Sequence, residues 1–589
     1  MAFALGTMSK GRELSLTDEE RSRHIHIVGA SGTGKSKLLE AMIRQDLLAG
    51  HLSGRGLCLI DPHGTLADAI IEWCAAMKID KYRRIHIIDP KNRDWVPGFN
   101  PLRFDGVLDL NARVDAMVAT CAEVWGGEDI NQTPLLTTCL QIVFYALAAH
   151  GLTLVEAIEL TSSTDPYAIR QRLTGTLPDP VFESFWRDFN KLSTKEFEER
   201  FSSTRRRLLR FLGAPSIRRI VGQRQRTLDF RRVMDEGDVV IVNLAARGSL
   251  SEENARLLGA MITSELRLAA MSRDASVARD HPFSLYIDEC YDYLTGDVEA
   301  MLDQTRKFGL HVILAHQRLA QLRKRSEAIY NGVMAGGQTK IVFGGMNDED
   351  AEIMAKEVYR SSFKLERPKR ALDKPVVVDE IPYWLDSESW TTSDSTTTSD
   401  SSTASGSDTS NWSSITNTSS VAGDSFGPDD DNVRGSTLSE GTGSSEGIGG
   451  SSSEGWARTS GEARTSGASE SHGRSQTMRP VRVIMTTAVH SLDEELHLAI
   501  VKLRELPNQA AIVKRRGRPP VRIKPATVKP ALAWEELTDQ FIDTTRAASP
   551  YISSAPQADA EIAMRFDTLR AKETKPMPDA AGSEAFWTE

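Results

Sequence analysis

Two hydrophobic rhythms run along the chain, and the change from one to the other predicts its architecture. Over residues 1–110, short continuous apolar runs alternate with longer stretches whose apolar positions recur at three and four. The runs are "HIHIVG", "GLCLIDPHG" and "RIHIIDP". Continuous runs bounded by Gly and Pro predict buried strands, so this is the strand–helix–strand pattern of a parallel sheet covered on both faces. From 111 to 230 the strand runs stop. "LTTCLQIVFYALAAHG", "TLVEAIELT" and "FESFWRDFNKL" keep the helical spacing instead. Strands return over 231–386 in "GDVVIVNLA", "FSLYIDE", "LHVILAHQ" and "TKIVFGG". The pattern predicts an α/β domain interrupted by an inserted all-α domain.

Composition changes this picture in two places. Over 387–476, Ser, Thr and Gly fill 53 of 90 positions, too little apolar surface to offset the entropy of ordering, so a long disordered loop is expected there. Residues 477–530 regain strand–helix–strand character and read as the last elements of the α/β domain. Residues 531–589 read as an acidic tail with one amphipathic stretch, "WEELTDQFI". The formal charge of −10 is concentrated in these segments: 387–476 carries −9 and 531–589 carries −6, which leaves the rest at +5. Overall acidity therefore does not exclude DNA as a partner. The five cysteines show no metal-binding spacing and read as buried residues of a reducing compartment. With no signal peptide and no apolar run of roughly 18 residues, a cytoplasmic location is expected.

The candidate chemistry begins where the first strand ends. Gly29, Ala30, Ser31, Gly32, Thr33, Gly34, Lys35 and Ser36 form G-x-x-x-x-G-K-S between a predicted strand and a predicted helix. Such a loop turns backbone N–H groups around phosphates at a helix N-terminus, with Lys35 on the β/γ-phosphates of ATP and the Ser36 hydroxyl on Mg²⁺. The run "HPFSLYIDE" supplies the carboxylates: Asp288 for the Mg²⁺ shell and Glu289 as general base for the attacking water. Gln317, at the tip of the strand "LHVILAHQ", is placed to sense the γ-phosphate. Arg306 ends the helix before that strand. It reads either as a residue reaching a neighbouring subunit's phosphates or as a surface Arg favourable to a helix C-terminus. Asp61 and His63 of "LIDPHG" are read as site-adjacent or as turn chemistry before a helix. The arginines of "STRRRLLRFLGAPSIRRIVG" read as a solvated helix face, and Arg516-Gly517-Arg518-Pro519 as a charged hairpin turn.

The ordered set "GASGTGKS", "LIDPHG", "FNPL", the helical insertion, "MDEGDVVIVNLA", "NARLLGAMITSEL", "LYIDE" and "TRKFGLHVILAHQ" resembles the HerA–FtsK superfamily. Within it, the resemblance is to the coupling ATPases of conjugation and type IV secretion, over residues 5–375 and 477–530. It implies a RecA-like P-loop NTPase core that assembles as a homohexamer and moves DNA with ATP and Mg²⁺. It also implies Lys35 and Ser36 at the nucleotide, Asp288 and Glu289 in Walker B, Arg306 as a finger acting in trans and Gln317 as sensor. A relaxase, a nuclease or a secretion channel is the expected kind of protein partner, with peripheral association at a membrane channel. The other function kept in view is an ATP-switched scaffold that gates such a partner, or recruits protein cargo, without moving DNA. The membrane helices and β-barrel that open related chains have no counterpart before Gly29.

Overall fold

The computed structural model describes residues 3–8, 11–126, 134–246, 250–360, 375–400, 415–425, 440–445, 460–484 and 491–571. Contacts divide the chain into two units, Met1–Lys364 with Ser491–Glu589, and Leu365–His490.

The first unit is organised by an eleven-stranded sheet. Its strands are β1 (Phe3–Met8), β2 (Glu13–Leu16), β3 (Ile25–Val28), β4 (Gly56–Asp61), β5 (Ile85–Ile88), β7 (Val239–Asn243), β8 (Phe283–Ile287), β9 (Leu310–His316), β10 (Thr339–Phe343), β15 (Ala511–Lys514) and β16 (Val521–Pro525). The order across the sheet is β2-β1-β16-β15-β10-β3-β9-β8-β4-β7-β5. The seven strands from β10 to β5 are parallel. Strands β15, β16, β1 and β2 extend them antiparallel. The remaining strand of this region, β6 (Trp95–Pro97), lies outside the large sheet.

The apolar runs are continuous because each parallel strand buries both faces. Ile25, Ile27, Leu57, Leu59, Val239 and Ile241 enter one hydrophobic cluster, with the helices Lys35–Ser53 and Thr65–Met77. Their alternating neighbours Val28, Cys58, Ile60, Val240 and Val242 enter the other. Residues 110–235 contain helices and no strand among the described residues, and they share that second cluster. The insertion is thus a helical layer built onto one face of the sheet, with no separate core of its own. All five cysteines are buried and free, and burial pushes their thiols up.

Two parts differ from the expectation, and a third, the charged turn, meets it. The strands β1 and β2 precede the first predicted strand; they are short, and β1 carries a register shift between Ala4 and Gly6, so alternation is broken where it would have been read. The "KRRGRPP" stretch is a hairpin turn, with Ala511 opposite Ile523 and Val513 opposite Val521. Residues 535–570, expected as a tail, are folded onto the first unit. Helix Glu535–Ala548 packs on helix Thr65–Met77, β17 (Ile552–Ser554) pairs with β6, and helix Ala555–Arg570 meets helix Pro215–Val221. The acidic residues of this segment find arginines. Asp559 accepts two hydrogen bonds from Arg219 (2.9 and 2.7 Å), so part of the arginine-rich helical face is an internal contact surface. Residues 572–589 of the expected tail lie outside the described residues.

In the second unit, β11 (Pro375–Asp400) pairs antiparallel with β14 (Ser460–Ile484), and β12 (Ile415–Ser425) and β13 (Glu440–Ser445) add to its other side. The described backbone is regular where composition led us to expect an irregular chain. Threonine has strand propensity, which a count of Ser, Thr and Gly together conceals. The rest of the 387–476 expectation falls on residues 401–414, 426–439 and 446–459, outside the described residues.

The C-terminal helix is held by one buried ion pair. Arg565 Nε donates to Glu156 Oε1 (3.0 Å) and Nη1 to Glu561 (2.9 Å), while Glu156 is fully buried and also accepts from Thr153. Removing one partner strands the other charge. Arg565→Ala is expected to destabilise the protein by about 3 kcal/mol, seen as a lower urea midpoint, while Arg565→Met with Glu156→Met recovers most of the loss. A midpoint unchanged by Arg565→Ala contradicts this anchoring.

Candidate nucleotide site

The C-terminal ends of the parallel strands form one edge, and the residues singled out by sequence meet there. After β3 the chain turns through Gly29–Gly34 into helix Lys35–Ser53. Gly32 and Gly34 hold φ of 77° and 118°, left-handed backbone that a side chain would strain. Gly29 serves closeness: a Cβ there would lie 2.4 Å from Phe343 Cβ of β10. The loop is braced from both sides. Ala30 N–H donates to Gly344 O (3.2 Å) and Gln509 N–H donates to Thr33 O (3.0 Å).

Lys35 Nζ donates to the loop carbonyls of Gly29 (2.7 Å) and Ala30 (3.0 Å). Burial lowers its pKa, against the pull of Glu289 and Asp288 in the opposite direction. The Ser36 hydroxyl donates to Asp288 Oδ2 at 3.3 Å. Asp288 follows the last residue of β8, is 4% exposed, and accepts at Oδ1 from Glu289 N–H (3.1 Å). Burial, then the neighbouring Glu289 and Asp61, push its pKa up to about 6, and Lys35 opposes them.

Glu289 sits in left-handed backbone, φ 45°, a costly conformation for a residue with a side chain. Its Oε1 accepts a 2.6 Å hydrogen bond from Gln317 Nε2. Its Oε2 is buried without a partner among the described residues. Burial raises its pKa, moderated by Gln317 and Lys35. A buried carboxylate oxygen with no donor, beside a lysine and a second carboxylate, is chemistry suited to a polarised water or a cation. Mg²⁺ and a nucleotide phosphate fit this donor set.

Asp61 adjoins the site but is committed to a turn, and Arg306 lies elsewhere. Asp61 ends β4, but both its oxygens are committed to backbone N–H groups, of His63 (2.9 Å), Leu66 (2.8 Å) and Ala67 (2.9 Å). It caps the following helix, which is the turn-chemistry reading. Arg306 stands just before the first residue of β9, whereas Gln317 follows the last. Seven strand residues separate them by roughly 20 Å. Arg306 is exposed, makes no ion pair among the described residues, and places its charge near His24 and His311 at the strands' opposite end.

Sequence reasoning missed the braces. Gly344 has a visible signal, since "FGG" after an apolar run marks a close backbone approach. Gln509, in the turn before β15 and remote in sequence from the loop it braces, has none.

No protein-family model matches the chain, and no curated protein sequence does. Solved structures do. Unbound TrwBdeltaN70, a bacterial conjugative coupling protein, aligns over 90% of both chains with a TM-score of 0.50 and 13% identity. TrwB in complex with ADP and Mg²⁺ aligns over 90% of this chain and 97% of its own, with a TM-score of 0.47 and 14% identity. VirB4 of Thermoanaerobacter pseudethanolicus covers 60% of this chain and 87% of its own, at 0.40 and 15%. The fold is that of a RecA-like P-loop NTPase. Specifically, the chain has the architecture of the TrwB coupling protein, in line with the resemblance its motifs carry.

The raised Asp288 pKa has a consequence for stability. A carboxyl that titrates at about 6 when folded and 3.8 when unfolded stabilises the fold below pH 3.8, and this is lost as pH rises through 6. Asp288→Asn is therefore expected to be more stable than the parent at pH 8, by on the order of 2 kcal/mol, with the difference vanishing below pH 4. Urea unfolding at the two pH values checks this; a variant less stable at pH 8 contradicts it.

Proposed function

We propose that this chain is an ATP-driven motor of the conjugative coupling type, which hydrolyses ATP with Mg²⁺ and moves DNA through a ring of identical subunits. The observation that carries the reading is the meeting of Lys35, Ser36, Asp288, Glu289 and Gln317 at one sheet edge, brought there by three adjacent parallel strands. In this reading the Gly29–Gly34 backbone and Lys35 hold the phosphates. Ser36 and Asp288 hold Mg²⁺, which when bound offsets phosphate charge. Glu289 takes the proton of the attacking water through Oε2, and Gln317 fixes the carboxylate through Oε1.

Arg306 is at the far end of its own sheet, so any nucleotide it serves belongs to a neighbouring subunit. Its exposure and lack of an ion pair among the described residues support that assignment over a helix-capping one. A ring in which each subunit lends Arg306 to the next makes catalysis depend on assembly. The fold shared with a conjugative coupling protein supports DNA as the substrate of motion.

ATP turnover with and without single- and double-stranded DNA tests the reading. Hydrolysis is expected to rise on adding DNA. Glu289→Gln should retain nucleotide binding and lose turnover by about 10²-fold or more. Turnover that ignores DNA and rises only with a protein partner supports the ATP-switched scaffold instead.

A further inference from the structure

Beside the nucleotide edge lie two fully buried imidazoles that the reading above does not use. His26 is in β3 and His316 is the last residue of β9, the adjacent strand. Their Nε2 atoms are 2.7 Å apart. The ring planes differ by 13° with centroids 5.0 Å apart. That separation equals the bond plus the two ring radii, so the rings meet edge to edge and in line, the geometry of a hydrogen bond between imidazoles.

The protons can be placed. His316 Nδ1 is 3.1 Å from the carbonyl of Arg318, which only accepts. Nδ1 of His316 therefore carries the hydrogen, and its Nε2 presents a lone pair. His26 Nε2–H must then be the donor to it, which leaves His26 Nδ1 as a lone pair without a partner among the described residues. Burial keeps both rings neutral, with the pKa of His316 lowered to about 4 and that of His26 well below the usual range.

The bond from His316 Nδ1 to Arg318 O spans Gln317. On one side of Gln317 the chain is held by the β9 ladder, on the other by this clasp, and the Gln317 amide leaves between them to reach Glu289. We propose that His26 and His316 are positioning residues: His26 orients the His316 ring, His316 closes the chain around Gln317, and the Gln317–Glu289 hydrogen bond depends on both. The proposal rests on the assignment of Glu289 as base and Gln317 as its partner. A neutral donor–acceptor pair with no spare proton suits such a clasp, because its direction is set by the Arg318 carbonyl.

A double-mutant cycle on the full chain tests it, with ATP turnover and ADP affinity as readouts. His26→Leu is expected to lower kcat roughly tenfold with KM and ADP affinity changed less than about twofold, the signature of a displaced catalytic group. His26→Gln, whose amide N–H can donate to His316, should recover most of the turnover. In a Gln317→Ala background His26→Leu should add less than about twofold, since both act through one hydrogen bond. If the Leu variant does not fold, His26→Asn, with a donor too short to reach, carries the same cycle. An unchanged kcat in His26→Leu, a full additive loss in the double variant, or a His26→Gln as damaged as His26→Leu overturns the proposal alone. Parent-rate hydrolysis by Gln317→Ala overturns the assignment of Gln317, and the proposal with it.

Discussion

Two carboxylates at the end of one apolar strand set the terms for everything around them. Asp288 and Glu289 are adjacent in sequence and 4% and 3% exposed, so water cannot screen them and each raises the cost of ionising the other. The protein answers this charge only in part: Ser36 and Gln317 each give one hydrogen bond, Lys35 stands near but donates to loop carbonyls, and one Glu289 oxygen has no partner among the described residues. Hydrophobic burial elsewhere has to offset this cost. The seven parallel strands, buried on both faces, supply that burial and also bring β3, β8 and β9 side by side, so that Lys35, Asp288 and Gln317 share one edge.

The direction of the strands then separates two sets of chemistry. One end of the sheet gathers the phosphate loop and the acids. The other carries Arg306 and the turn of the β15–β16 hairpin, where Arg516 and Arg518 are exposed. A subunit with complementary charges at opposite ends is suited to head-to-tail contacts, the kind that close into rings. Buried histidines occupy both ends: His24 and His311 near Arg306, His26 and His316 near the loop.

How much of this was legible follows from what each element needed from sequence. The parallel strands were readable because burial on both faces forces unbroken apolar runs, as in "VVIVN" and "LHVILAH". The phosphate loop and the acids were readable because their spacing is set by chemistry at a strand end. The strands β1 and β2 were not, since β2 is an edge strand of four residues and β1 is interrupted by a register shift. The segment 535–570 was misjudged from its charge, because Arg219 meets Asp559 and Arg565 meets Glu156 only in three dimensions. Gln509 and the His26–His316 bond were invisible for the same reason: each depends on which strands become neighbours, and no local pattern records that.

The central claim is that Lys35, Ser36, Asp288 and Glu289 together form a site for Mg²⁺ with a nucleotide. Calorimetry of ADP binding with and without Mg²⁺ measures this directly. The account predicts that Mg²⁺ tightens ADP binding to the parent and that this gain is lost in Asp288→Asn. Equal ADP affinity with and without Mg²⁺, or the same Mg²⁺ gain in Asp288→Asn, would contradict it.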